Sequence, residues 1–253
     1  MFRFIINTIV VGVLSLGNLF AANIDQQMAE ANKQYSDGKF DEAVKSYESI
    51  VKQGYCSYIL YYNLGNAYYK TKNIPFAILN YERALLYNPG DENIKFNLDL
   101  AKTFTVDRIE PLPEFFLVSF FKNFRLLMST NQWAYTGIFF LIVSLTLAYL
   151  FWFTHNPSVK RITFSTGILA IVIVLLSFTF SSQQKNNIEK HGYGILTPSV
   201  IAVKSSPGDS GKDLFVLHAG TKVKIIDSIG DWYEVRIADG NMGWILKETM
   251  EKI

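Results

Sequence analysis

The chain has 253 residues, 49% of them hydrophobic, and a formal net charge of +2. That balance fits a membrane protein with water-soluble attachments better than a single soluble domain. It excludes recognition of nucleic acid through a basic surface, because neither soluble part carries a basic stripe.

The positive surplus sits in segments that are terminal or flank apolar runs: Arg3, Lys122, Arg125, Lys160, Arg161, Lys185 and Lys190, against Glu114 and Glu189. Lipid headgroups accept such a surplus. Cys56 has no second cysteine, so neither an intrachain disulfide nor a thiolate metal cluster can form. His155, His191 and His218 lie too far apart in sequence to suggest a metal site, and no cofactor is expected.

Residues 1–22 have the order of a secretory signal. Arg3 gives a positive start, an apolar stretch comes next, and Ala21 and Ala22 offer a cleavage site. Leu19 or Phe20 falls where a small residue is preferred, so an uncleaved anchor is the other reading. Under both readings the repeats that begin at Asn23 are exported.

Residues 23–110 are helical and repeat. Ala43 and Ala77, Tyr47 and Tyr81, and Val44 and Ile78 stand 34 residues apart, the period of the tetratricopeptide repeat. The second copy, Tyr58 to Asp91, resembles that family at Tyr61, Leu64, Gly65, Tyr68, Ala77, Tyr81, Ala84 and Pro89. Gly65 and Ala77 allow two antiparallel helices to approach, the tyrosines fill the space around the contact, and Pro89 ends the unit. The first copy has Gln27 and Glu30 in place of Tyr61 and Leu64, as suits an outer face. Residues after Asp91 continue the register for one closing helix.

Two repeats plus this helix make an all-α domain with a concave groove. Asn32, Tyr35, Tyr62, Asn66 and Tyr69 are expected to face it, with Phe96 from the closing helix. Amide and phenol groups suit capture of an extended peptide. The alternative is that the tyrosines only pack between helices and the asparagines are solvated. The basic residues that seize a C-terminal carboxylate in some tetratricopeptide clamps are not evident.

Residues 111–130 mix Pro111 and Pro113 with aromatics. At helical spacing Phe116, Phe120, Phe124 and Leu127 form one strip, flanked by Lys122 and Arg125. This is the pattern of a helix in the membrane interface; packing on the repeats is the alternative. Residues 133–153 and 162–181 are uncharged runs of about the length that crosses a bilayer once. In lipid the backbone must bond to itself, so both are expected as transmembrane helices. Trp133 and Trp152 are placed as interfacial aromatics. The polar segment 154–161 between the spans becomes a cytoplasmic turn if the signal exports the repeats. Both soluble parts then share the outer face. No Asp, Glu, Lys, Arg or His lies within either span, which argues against an ion path.

Residues 191–253 change to alternating runs cut by Gly, Pro and Asp. Val223 and Ile225 alternate with Lys222 and Lys224, and Tyr233, Val235 and Ile237 with Glu234 and Arg236; Asp239 and Gly240 supply a tight turn. A small all-β barrel is expected. Gly220 to Val223, Asp231 to Tyr233 and Gly243 to Ile245 resemble the bacterial SH3-like domain. Trp244 is expected in the core, Trp232 in the core or on a binding platform, and Trp232 and Tyr233 are the surface candidates.

The whole order, with the phrases PLPEFF, STNQWA and LFVLHAGTKV, resembles the BatE family of Bacteroides aerotolerance operon proteins. That resemblance implies a non-enzymatic inner-membrane component with both soluble domains in the periplasm. It implies partners among the von Willebrand A-domain membrane proteins of the same operon and a MoxR-type AAA ATPase, and a role in aerotolerance. The alternative function is a cell-wall anchor whose SH3-like domain holds peptidoglycan. No nucleophile and base pair points to catalysis, and the carboxylates are assigned to solvated helix faces.

Overall fold

The computed structural model describes residues 23–190, 192–208 and 210–253. The expected signal or anchor, residues 1–22, lies outside the described residues. The repeat region consists of α1 (residues 23–36), α2 (Phe40–Lys52), α3 (Tyr58–Lys70), α4 (Ile74–Tyr87) and α5 (Glu92–Lys102).

Local chemistry sets the helix ends. The Ser57 side chain accepts from the Leu60 N–H, and Asp91 accepts from Asn93 and Ile94, so both caps satisfy donors that the helix leaves open. Asp41 and Glu42 at the start of α2 and Lys52 at its end complement the helix dipole. Close approach of α3 and α4 depends on Gly65: a Cβ there would lie 2.7 Å from the Tyr81 ring. Tyr81 and Ala77 are buried beneath it.

Helix α6 (Phe116–Arg125) buries none of its residues, and Phe116, Phe120 and Phe121 stand well exposed. It leads into α7 (Thr130–Phe153) and α8 (Pro157–Lys190), two helices long and apolar enough to cross a membrane. They form an antiparallel hairpin, in which Ser181 donates to the Thr130 carbonyl at 3.0 Å and the Phe151 and Phe164 rings lie 5.9 Å apart. At 24 and 34 residues they run about 36 and 51 Å.

Helix α8 starts earlier than the apolar pattern indicates because Pro157 suits a first helical position and the Asn156 side chain accepts the Ser158 N–H at 2.9 Å. It also ends nine residues later, at Lys190, carrying Ile188 up against the repeats.

The near end of the hairpin is locked. Trp133 is 5% exposed, with its ring 5.7 Å from Phe124 and 5.1 Å from Phe180. Its indole N–H donates to the Arg125 carbonyl at 2.9 Å, and the Gln184 amide donates to the carbonyls of Arg125 and Met128 at 2.7 and 2.8 Å. Trp133 thus sits at the end of the span, as expected, but is enclosed by aromatic rings. The last carbonyl of α6 needs a donor, and the indole and amide both supply one from inside the junction. A Cβ on Gly90 would come within 2.8 Å of the Leu127 carbonyl oxygen, so the turn before α5 rests directly on this junction.

The C-terminal region is a seven-stranded antiparallel sheet: β1 (Tyr193–Leu196), β2 (Val200–Lys204), β3 (Asp213–His218), β4 (Lys222–Ile229), β5 (Trp232–Arg236), β6 (Met242–Leu246) and β7 (Met250–Lys252). The order β3-β2-β6-β5-β4-β1-β7 leaves β3 and β7 as edges, which fits the all-β SH3-like region expected here. One edge is covered by the repeats. The Arg83 guanidinium donates to the Lys252 carbonyl at 2.5 and 3.2 Å, and Ile195 and Ile253 enter the repeat core. A covered edge needs no strand partner.

Two polar nodes complete the docking. Glu82 on α4, 7% exposed, binds Lys222 of β4 at 2.6 Å and Lys102 of α5 at 3.2 Å. Asp107, beyond α5, accepts from the Thr221 hydroxyl at 2.6 Å and from the His218 N–H at 2.7 Å, and its other oxygen meets His218 Nδ1 at 2.7 Å. The assignment of the carboxylates to solvated faces thus fails at Glu82. Burial pushes its pKa up, but the Lys222 and Lys102 ammonium groups outweigh burial and hold it below the usual value.

A depressed carboxylate contributes stability that is complete above its unfolded pKa and is lost as pH falls through the folded one. Thermal unfolding of the detergent-solubilised chain should therefore show the sheet and repeats losing joint stability below about pH 4. Glu82→Gln should flatten that dependence, and Glu82→Ala should cost about 3 kcal/mol at neutral pH. An unchanged acid profile in Glu82→Gln would remove the node from the docking account.

Candidate peptide groove

The concave face is built on a hydrogen-bond ladder that repeats with the helices. On α1, Asn32 Oδ1 accepts from the Tyr47 hydroxyl of α2 at 2.7 Å and from the Asn63 amide of α3 at 3.0 Å. One repeat later, Asn66 Oδ1 on α3 accepts from the Tyr81 hydroxyl of α4 at 2.8 Å and from the Asn97 amide of α5 at 3.0 Å. Asn97 also donates to the Tyr62 hydroxyl at 3.0 Å. The pairs Asn32 and Asn66, Tyr47 and Tyr81, and Asn63 and Asn97 are each separated by one 34-residue period.

Tyr47 and Tyr81 are each 1% exposed, so their hydroxyls need these acceptors. Burial pushes the Tyr47 phenol up to about 12 and raises that of Tyr81 as well, keeping both as donors at working pH. Each asparagine oxygen has both lone pairs occupied. Among the described residues, the NH₂ groups of Asn32 and Asn66 and the carbonyl oxygens of Asn63 and Asn97 take no part in the ladder.

Two cavities run along the ladder. One of about 190 Å³ is lined by Asn32, Tyr35, Ser36, Tyr47, Asn63 and Asn66. The other, about 330 Å³, is bounded by Tyr35, Tyr62, Asn66, Tyr69, Asn97 and Leu100, with Lys70 its one charged lining residue. Tyr35 and Asn66 belong to both, which makes a continuous trough. Its near-neutral lining suits backbone amides better than an acidic terminus.

The structure brings Asn32, Tyr35, Tyr62, Asn66 and Tyr69 together on this trough. Phe96 is corrected: it is 69% exposed and lines neither cavity, while Asn97 and Leu100 represent α5 there. Tyr62, one period earlier, is half-buried because α5 packs over it, and no described helix packs over α5. The tyrosines also pack, Tyr35 edge-on to Phe40 at 5.2 Å and Tyr62 against Tyr81 at 6.1 Å. Asn63 and Asn97 share the period of Asn32 and Asn66, so the second half of the ladder was marked by the same spacing.

On the sheet, Tyr233 turns toward the core beside Val235, with the Lys247 and Lys252 ammonium groups 5.0 and 5.2 Å from its ring centre. Trp232 takes the opposite face. Trp244, expected in the core, is half-buried on that outer face too, paired with Glu234, while Gly243 and Ile245 take the inward positions. A Cβ at Gly243 would meet Val203 at 2.5 Å, so this inward position has no room for a side chain.

Comparison with known families agrees with this architecture. Residues 58–91 match the tetratricopeptide repeat model, and residues 199–251 match the bacterial SH3 domain model. No curated protein matches the chain. Fold and matches together define a protein-interaction or cell-wall-binding class: a helical repeat region and a bacterial SH3 domain joined through two apolar helices.

The ladder makes a stability prediction. Asn66→Ala strands the Tyr81 hydroxyl and the Asn97 amide and should cost about 2 kcal/mol, whereas Asn66→Asp keeps the accepting oxygen and should cost under about 1. Urea unfolding of the full chain in detergent measures the difference. Equal losses would show that the ladder bonds contribute little.

Proposed function

We propose that this protein is a non-enzymatic scaffold of the bacterial inner membrane that holds an extended peptide segment of a protein partner in the repeat groove. The observation that carries this reading is the trough itself, along which the ladder engages the oxygens of Asn32 and Asn66 and leaves their NH₂ groups as the donors a peptide would use. Their oxygens are already committed, so the donors are preorganised and lose little freedom on binding. The docked sheet adds a second binding surface at fixed distance, which raises effective concentration for a partner that engages both.

Both soluble parts lie in the periplasm in this reading. What supports a shared face is that repeats and sheet both meet the same end of the hairpin, at Ile188. The phenylalanines of α6 at that end suit the headgroup boundary. By resemblance to the BatE family, the partners are von Willebrand A-domain membrane proteins and an associated MoxR-type AAA ATPase, and the process is aerotolerance. A second reading has its own observation: Trp232 and Trp244 share the outer face of the sheet, an aromatic platform suited to peptidoglycan stems.

Asn32→Asp with Asn66→Asp tests the groove, because it preserves the ladder acceptors and replaces both ligand-facing donors with carboxylate. Crosslinked partners in membranes should be lost while the chain still unfolds cooperatively, with a melting temperature lowered by at most about 10 °C; an unchanged partner set would refute the groove. Incubation with purified sacculi separates the two readings, since retention that disappears in Trp232→Ala with Trp244→Ala assigns the sheet to the wall. Protease added to intact spheroplasts should remove both soluble parts, and protection of either would sink the shared-face topology.

A further inference from the structure

Each first helix of the repeat array is met by the next one along the ladder. Asn32 on α1 receives Asn63 from α3, and Tyr62 and Asn66 on α3 receive Asn97 from α5. One period beyond Tyr62 and Asn66, on α5, stand Phe96 and Leu100. The two places that took polar contacts from the following helix have become apolar. No described element covers them: Phe96 is 69% exposed and Leu100 is 38% exposed.

Phe104, just past the end of α5, is 61% exposed and touches Tyr69 edge-on at 5.9 Å. Four-residue steps along α5 and its last turn put the three side chains in one strip. A terminal helix that faces only water needs a polar outer surface. An apolar strip in that place marks a contact surface.

We propose that this strip seats an amphipathic helix of a partner protein, packed on α5 where the first helix of a further repeat would lie. The inference rests on the reading of the repeats as a protein-binding domain and concerns the outer side of α5, which meets the groove at Leu100. The repeat supplies the geometry, because α3 lies on α1 and α5 on α3 in the same way. The spacing of Phe96, Leu100 and Phe104 is what one apolar helix face matches. An extended segment lacks a comparable reason to bind here, since the backbone of α5 is bonded within the helix.

The same array indicates the partner's chemistry. At the rung opposite Leu100, where α3 and α5 carry Asn63 and Asn97, the incoming helix carries an apolar residue. Head-to-tail stacking of a second copy, α1 on α5, does not fit, because α1 carries Asp25, Gln26 and Glu30. Burying those carboxylates against phenyl rings costs far more than the contact returns. Leu100 also lines the larger groove cavity, so the seated helix would close that end of the trough.

The test places a benzoyl-phenylalanine photocrosslinker at Phe96 of the full chain in its native membrane and maps the product by mass spectrometry. The expected result is a crosslink into an amphipathic helix of a different protein. In the chain carrying Leu100→Asn and Phe104→Ser, the yield should fall about tenfold or more, as removal of two apolar anchors implies. Asn32→Asp with Asn66→Asp should leave the yield unchanged. Products formed only with lipid, with a second copy or with an extended segment, or no product, would overturn the proposal. The mapped product decides without the strip variant should that variant misfold. Loss of groove partners with no strip crosslink would leave the groove reading intact and remove this one alone.

Discussion

Glu82 holds the molecule together at the point where three parts meet. Its carboxylate, nearly removed from water, is shared by Lys102 of the closing helix and Lys222 of the sheet. A buried carboxylate is tolerable only when paired, so burial of α4 under the sheet and delivery of both lysines are mutually dependent. Around this node the contacts are mostly apolar: Ile195 and Ile253 join the core of Ile78, Leu79 and Tyr81. The sheet is consequently a docked body, with its β7 edge covered by the repeats.

That docking gives the apolar hairpin a structural role beyond attachment. Helix α8 continues past its apolar run until Ile188 reaches the seam with Tyr61, Arg83 and Tyr87. At the other side, the turn at Gly90 rests on the carbonyl of Leu127, just before α7. The hairpin touches the repeats in two places. Trp133 and Gln184 stiffen the junction by donating to the carbonyls of Arg125, at the end of α6, and Met128. The groove is held at a defined position relative to the hairpin end, which is the geometry a membrane-tethered binding surface requires.

Within the groove, the side chains proposed for recognition also contribute stability. The tyrosine hydroxyls are buried and bond to asparagine oxygens, which leaves the asparagine NH₂ groups outside those bonds. The pattern ends at Leu100 and Phe96, where the period continues and the polarity does not. At the sheet, Trp232 and Trp244 lie outward because pairing with Leu246 and Glu234 puts them on the face opposite Val235 and Ile245.

The sequence by itself determined the helical pairs, the two apolar spans and the alternating strands, because each depends on local periodicity: 34 residues, an uncharged run of bilayer length, or a two-residue alternation. It also marked Asn32 and Asn66, since a repeated polar residue at a fixed place stands out against an apolar pattern. Only the tertiary structure decided what lies between these units. Glu82 reads as an ordinary surface carboxylate in α4, and nothing nearby in sequence announces Lys222, 140 residues away. Trp133 reads as an aromatic at the end of a span, and nothing nearby in sequence shows that Phe124 and Phe180 enclose it. Phe96 reads as a groove residue because Tyr62 is one, and differs because α5 covers Tyr62 while no described helix covers Phe96. Periodicity carries information about neighbours along one element. Burial, ion pairing and exposure at the end of an array depend on which elements meet.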